Sequence, residues 1–287
     1  MKPNIVKLAL GTAQFGLDYG ISNSQGKTSL KEVGKILELA QEQNITIIDT
    51  AQEYGNSESI LGEIHENRFK IITKINPQVS SIKTIETVVE ESLTNLKVNS
   101  VYGVLFHSPQ TVISNPYMVE KIKLLKNEGK IEKFGYSVYF PNELEDLITK
   151  YGMPDIVQLP FNHLDTRFES IATKLHEEGV EIHARSVFLQ GLYFKETETL
   201  PIFFKSVIPY FKDLKIRVKS NAEKAGMLLN FCLEKEFIDH VVIGVNDRGQ
   251  LLGNIAAIYK SHKHLPDPPK VIKEEILIPY LWPSTKH

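Results

Sequence analysis

The chain has 287 residues, 42% of them hydrophobic, enough to bury the core of one large α/β barrel or of two ordinary domains. A formal charge of -2 and a sequence pI near 6.5 lack the basic excess that attracts phosphate backbones or anionic lipid, so neither nucleic acid nor membrane is an expected partner. Cys232 is the single cysteine, Met1–Leu10 lacks a long secretory apolar core, and no stretch approaches the roughly 18–20 apolar residues that span a bilayer, so a cytoplasmic protein is expected.

Short β-branched runs recur at Ile5–Gly11, Ile45–Asp49, Phe69–Lys74, Val101–His107, Ile131–Tyr136, Asp155–Pro160, Val180–Arg185 and His240–Gly244. Each reads as a strand apolar on both faces, as in a parallel sheet covered by helices. Amphipathic segments alternate with them. In the first, Leu30, Val33, Ile36, Leu37 and Ala40 make one stripe, and Ser29 with Glu32 matches the S-x-x-E capping box that starts a helix. Eight such units are what a closed (β/α)₈ TIM barrel requires, at about 250 residues plus insertions. The rival open doubly wound sheet has no G-x-G-x-x-G after an early strand to support it.

No Gly/Ser-rich or Pro-rich linker divides residues 1–287, which therefore read as one barrel domain. Cys232 reads as core packing within a helix. Two stretches fall outside the alternation: the aromatic-rich Ser186–Lys219 after the seventh strand, expected as a long loop on the active face, and the proline-rich tail from His264, which could cap either face.

In a parallel barrel the C-terminal strand ends converge on one rim, so a polar residue closing an apolar strand points into the site. Asp49, Lys74 and His107 close three neighbouring strands in this way, and Tyr54 lies in the loop after Asp49. A phenol, with an ordinary pKa of about 10, becomes a useful acid when a cation stabilises its phenolate, and Lys74 is placed to do that. Asp49 would keep the buried lysine charged. His107 could then donate to an oxygen shared with the Tyr54 hydroxyl, making a two-donor oxyanion site that suits a carbonyl receiving a hydride. Singly, each residue has a plainer role: Asp49 as a helix cap, Lys74 at the surface, Tyr54 as a loop aromatic, His107 as a satisfied strand-end histidine. Their occurrence together at successive strand ends favours the chemical reading.

These residues resemble the aldo-keto reductase superfamily over most of the chain, from Leu8-Ala-Leu-Gly-Thr-Ala-Gln-Phe-Gly16 to about Ile258. Ile48-Asp49-Thr-Ala-Gln-Glu-Tyr54-Gly-Asn-Ser-Glu58 is similar to the family's Asp-Thr-Ala-x-x-Tyr-Gly signature, and Gly129-Lys-Ile-Glu-Lys-Phe-Gly-Tyr-Ser137 to its Gly-Lys-x-Arg-x-Gly-x-Ser segment. The resemblance implies an NADPH-dependent reductase of aldehydes or ketones, with NADH as the other candidate cofactor. Tyr54 would be the acid, Lys74 and Asp49 its tuning pair, and His107 the residue orienting the carbonyl.

It also implies a cofactor cradle. Ser137 and Gln158 match positions that hold the nicotinamide carboxamide, with Gly11 and Thr12 beside it. Arg185 and Ser186 match the strand end that stacks on the ring, and Leu189, Gln190 and Gly191 continue into the pyrophosphate loop. Gly244, Asn246, Arg248 and Gln250 fall in the nucleotide-binding segment, with Asn254 at the adenine position. Three departures stand out: Ser137-Val138 replaces the usual Ser-Asn, Arg185 stands where an aromatic is common, and Arg248 is the only nearby basic residue for a 2′-phosphate.

Substrate specificity would rest on rim residues such as Phe15, Tyr19, Tyr139, Phe161, His163, Phe188, Tyr193 and Trp282, for most of which packing is the simplest role. The segment from Gly11 to Asn23 resembles family members from surface-polysaccharide pathways, which suggests a keto-sugar or small aldehyde. Two alternatives remain open from the residues: a Schiff-base lyase using Lys74, and a cofactor-binding module without turnover, as the family's potassium-channel beta subunits exemplify.

Overall fold

The computed structural model describes residues 5–21, 23–75, 84–260 and 264–283. The first four residues of the segment considered as a leader, and the last four of the chain, lie outside the described residues. Eight strands, β1 (Leu8–Gly11), β2 (Ile47–Asp49), β3 (Lys70–Ile75), β4 (Val101–Phe106), β5 (Ile131–Ser137), β6 (Ile156–Pro160), β7 (Glu181–Arg185) and β8 (His240–Gly244), form a closed barrel in sequence order. All pairs are parallel, and β1 closes onto β8 with Leu8 opposite Val241 and Gly11 opposite Gly244.

Because side chains alternate along a strand, register decides what fills the barrel. Ala9, Ile47, Ile72, Leu105 and Ile156 form a small apolar cluster of their own inside the barrel, apart from the large core between strands and helices. Two residues further along β2, β3 and β6 from the cluster members stand Asp49, Lys74 and Gln158, so the same parity that buries the apolar layer aims these polar groups into the upper mouth. On β7 that parity selects Glu181, His183 and Arg185. The expectation that every strand is apolar on both faces therefore fails for β7, which carries apolar residues on its helix-facing side only.

Other boundaries also differ. Ile5–Lys7 is a 3₁₀ turn rather than the start of β1, with the Lys7 ammonium donating to the Lys235 carbonyl at 3.1 Å. The first helix, Leu30–Glu42, begins after Ser29, whose hydroxyl accepts from the Glu32 N–H at 3.4 Å. Glu32 does not complete a reciprocal box; its carboxylate accepts from the Arg248 N–H at 3.0 Å, across to the segment after β8. Val33, Ile36, Leu37 and Ala40 are buried, whereas Leu30, in the first turn, is 47% exposed. Cys232 is buried in the helix Asn221–Leu233.

The Ser186–Lys219 stretch is more regular than a loop: three 3₁₀ turns precede the helix Ile208–Arg217. The tail buries Ile276, Leu277 and Ile278 and sets Tyr280 edge-on to Tyr139, ring centroids 4.8 Å apart, which places it on the C-terminal face of the barrel. No helix among the described residues is long and apolar enough to cross a membrane.

Two glycines separate packing from propensity. A Cβ on Gly135 of β5 would fall 1.9 Å from the Ile156 carbonyl oxygen of β6, a backbone atom that cannot yield without opening the barrel. Nothing lies within 4 Å of a Cβ built on Gly34 in the first helix. Gly135→Ala is expected to destabilise by about 3 kcal/mol or more, and Gly34→Ala to stabilise by about 0.5–1 kcal/mol. Urea unfolding midpoints of the two variants test this; equal shifts would contradict it.

Candidate active site

Asp49, Lys74 and Tyr54 meet at the upper end of the barrel. The Lys74 ammonium donates to Asp49 Oδ1 at 2.6 Å and to the Thr50 carbonyl at 3.0 Å, and lies 3.4 Å from the Tyr54 hydroxyl. Lys74 is 1% exposed, which rules out a surface role. Gln158 donates from Nε2 to Asp49 Oδ2 at 2.7 Å, so both carboxylate oxygens are engaged. Asp49 thus does not cap the following helix, which begins at Ser57.

The loop carrying Tyr54 is held by close backbone approach. Gly55 has φ +58, and a Cβ on Gly16 would fall 1.6 Å from the Tyr54 carbonyl oxygen, so only glycine lets these two loops touch. A hydroxyl chain reinforces the contact: Thr50 donates to Ser57 at 3.2 Å, Ser57 to Thr12 at 2.9 Å, and Thr12 to the Asp49 carbonyl at 3.1 Å. His107 follows β4 and packs edge-on to Tyr54, ring centroids 5.9 Å apart.

Burial lowers the pKa of the Lys74 ammonium, and Asp49 opposes the fall. The Tyr54 hydroxyl is raised, chiefly by burial and next by the Asp49 charge. The lysine charge is matched by the Asp49 carboxylate 2.6 Å away. Burial also lowers His107, leaving its imidazole neutral at pH 7. Glu53 Oε2 lies 2.9 Å from His107 Nδ1 and opposes that fall.

A cavity of about 740 Å³ opens over this group. It is lined by Asp49, Tyr54 and His107 and, of the predicted cofactor residues, by Gly11, Thr12, Ser137, Gln158, Arg185, Ser186, Gly191, Gly244, Asn246, Gln250 and Asn254. Leu189 and Arg248 do not line it. Leu189 is fully buried in the core, and Arg248 stands outside the cavity at a helix start where the Asp247 and Glu32 carboxylates accept backbone N–H groups. Gln158, which lines the cavity, uses one amide N–H on Asp49. Arg185 stacks on Tyr139, its guanidinium carbon 4.0 Å from the ring centroid, and donates to the Val138 carbonyl at 2.9 Å, which occupies the surroundings of the missing asparagine.

Several lining residues escaped the sequence reading: Gln14, Asn23, Glu53, Asn221 and Gly253. Glu53 could have been found, since it directly precedes Tyr54; the others come from loops whose placement depends on distant contacts. The segment after β7 is held in unusual backbone geometry, with Ser186, Leu189 and Gln190 all at positive φ. Such conformations cost non-glycine residues about 1–3 kcal/mol each and persist where surroundings enforce them. Here Gln190 donates from Nε2 to the Tyr19 hydroxyl at 2.9 Å and its carbonyl accepts from the Ile21 N–H at 3.2 Å, tying this loop to the one after β1 across the cavity.

The His107 shift has a definite sign. A folded-state pKa below 6.5 makes the neutral ring the one that fits, so its contribution to stability is present above pH 6.5 and is lost as the pH falls below that value. Glu53 raises the ring's pKa, so in Glu53→Gln the titration midpoint of the His107 ring protons, followed by NMR, should move further down. An upward move would show that Glu53 does not act on the ring through its charge.

Residues 7–265 match the Aldo/keto reductase family. The chain is similar to the oxidoreductase sirO of Leptosphaeria maculans, 28% identical over 206 residues that cover 66% of this chain and 62%, under two-thirds, of that protein. It is similar to the uncharacterized oxidoreductase YqkF of Bacillus subtilis, 24% identical over 278 residues covering 88% and 90% of the two chains. In fold it resembles the holo form of the aldo-keto reductase AKR11C1 from Bacillus halodurans, with a TM-score of 0.70, 20% identity, and coverage of 98% and 93%. With its closed eight-stranded barrel and a family match over nearly its whole length, the chain belongs to the aldo-keto reductase family.

Proposed function

We propose that the protein reduces an aldehyde or ketone to an alcohol, taking the hydride from a nicotinamide cofactor and the proton from Tyr54. One observation carries this reading: the half-buried Tyr54 hydroxyl, 3.4 Å from an ammonium held by Asp49, lines the cavity beside His107. When bound, the cofactor supplies the hydride. Tyr54 and His107 border the place where negative charge would grow on the carbonyl oxygen, His107 as a neutral donor and Tyr54 as the acid that releases its proton to that oxygen. Lys74 then stabilises the phenolate left behind, and the Asp49–Gln158 contacts keep the lysine aimed at it.

The cavity wall is compatible with a dinucleotide. Lining residues extend from Tyr54 to the start of the helix Asn221–Leu233 and into the helix Arg248–Lys260, and helix starts favour phosphate. Asn246 Oδ1, in the same wall, is a buried acceptor with no donor among the described residues. Ser137 would meet the nicotinamide end, and Gln250 and Asn254 the adenosine end. The family resemblance favours NADPH. A second reading, NADH, is favoured by the position of Arg248: Arg185 is the only lysine or arginine among the described cavity-lining residues, and Arg248 has carboxylates for neighbours. A keto-sugar is the substrate proposed, because Tyr19, Tyr139 and Asn23 offer stacking faces and polar groups at the mouth. The lyase alternative loses support because Lys74 is not a cavity-lining residue and is fixed as an ion pair.

Tyr54→Phe should lower kcat for aldehyde reduction by about 10²–10⁴-fold while cofactor affinity stays unchanged; wild-type turnover by this variant would remove Tyr54 as the acid. Titration with NADPH and NADH, followed by protein fluorescence quenching, decides the cofactor. If Arg248 holds a 2′-phosphate, Arg248→Ala weakens NADPH by about tenfold or more, the value of one lost charge-assisted contact, and leaves NADH unchanged. Equal affinities before and after the substitution would exclude that role.

A further inference from the structure

The barrel has a second polar cluster, at the opposite end from the cavity. Glu181 and His183 share the inward face of β7 with Arg185, and His240 opens β8 beside them, His183 pairing with His240 in register. Glu181 lies four residues below Arg185, about 13 Å along the strand, so this cluster belongs to the barrel floor and not to the site above. His183 Nε2 is 2.6 Å from Glu181 Oε1 and His240 Nε2 is 3.7 Å from the same oxygen. The two imidazole rings face each other with centroids 4.8 Å apart.

The cluster is under-satisfied. His183 is fully buried, yet its Nδ1 has no hydrogen-bond partner among the described residues. Two ring nitrogens converge on one carboxylate oxygen, and only one is near enough to donate to it. The other carboxylate oxygen is taken: the Tyr102 hydroxyl donates to Glu181 Oε2 at 2.7 Å, and the Lys133 ammonium donates to it as well. Glu181 is thus fixed by Tyr102 and Lys133 on one side and turned toward the histidines on the other, the support that outer partners give a ligating carboxylate.

We propose that the barrel floor binds one divalent transition-metal ion of the zinc type through Glu181 Oε1, His183 and His240. One ligand atom from each of these residues lies within 4.8 Å of the other two. A tetrahedral ion with bonds of about 2.0–2.2 Å has ligand-to-ligand edges of about 3.3–3.5 Å, between the 2.6 and 3.7 Å already present. His240, with 18% of its side chain exposed, leaves a path for entry and for a water as fourth ligand. Two imidazoles and a carboxylate already shared with Lys133 suit zinc, cobalt, nickel or copper, not magnesium or calcium, which prefer several oxygens.

The test uses the full chain after removal of metal with EDTA. Zn²⁺ titrated in competition with a chromophoric chelator should bind at one equivalent. His240→Asn should weaken it by at least about tenfold, the scale on which metal sites respond even to outer-partner changes. Co²⁺ added to the unaltered chain should give the strong visible absorption of a four-coordinate site, displaced by Zn²⁺ and not by Mg²⁺. Because His183→Asn could fail to fold, the partly exposed His240 and the cobalt spectrum carry the decision. Absence of zinc binding by the unaltered chain, wild-type affinity in His240→Asn, or displacement of Co²⁺ by Mg²⁺ would each overturn the proposal.

Discussion

The buried ion pair of Lys74 and Asp49 is the constraint around which the upper barrel is arranged. Two opposite charges, 1% and 2% exposed, are tolerated there because every strong valence is met: the ammonium reaches a carboxylate and a carbonyl, and the carboxylate's second oxygen takes the Gln158 amide. Remove one partner and the other is stranded in a dry interior, at about 3–5 kcal/mol. Such a pair is a poor device for stability, since apolar residues of similar volume often do as well. Its visible effect on Tyr54 is electrostatic: after burial, the Asp49 charge is the next cause that raises the hydroxyl's pKa.

This arrangement depends on barrel register. Asp49, Lys74 and Gln158 come from three strands, and they converge because each stands two residues beyond a member of the apolar layer formed by Ile47, Ile72 and Ile156. The glycines at the points of closest approach, Gly135 inside the barrel and Gly16 against the Tyr54 loop, are part of the same requirement. One alternation therefore produces a dry middle layer and a polar layer at each end. The upper polar layer lies under the cavity; the lower one holds Glu181, His183 and His240.

Loop geometry completes the cavity by means that strand pattern does not reach. Ser186, Leu189 and Gln190 adopt positive φ, Gln190 crosses to Tyr19, and Arg185 lies flat against Tyr139. Of the aromatics singled out at the rim, Tyr19, Tyr139 and Phe188 line the cavity, while Phe15, Phe161 and Tyr193 are packed within the core. A loop aromatic looks the same in sequence whether its ring faces ligand or protein, so the division between the two sets was not legible beforehand.

The sequence by itself determined the eight-unit alternation, the start of the first helix at Ser29, and the meeting of Asp49, Tyr54, Lys74 and His107. Those features follow from local chemistry: periodicity, capping, and a polar residue closing an apolar run. Only the tertiary structure decided that Gln158 holds Asp49, that Glu32 turns to Arg248 instead of completing its own cap, that Arg248 stands outside the cavity, and that β7 lines the barrel with charge. Each of these joins groups distant in the chain, and a hydrogen-bonding side chain goes to whichever partner the fold brings near once water is gone.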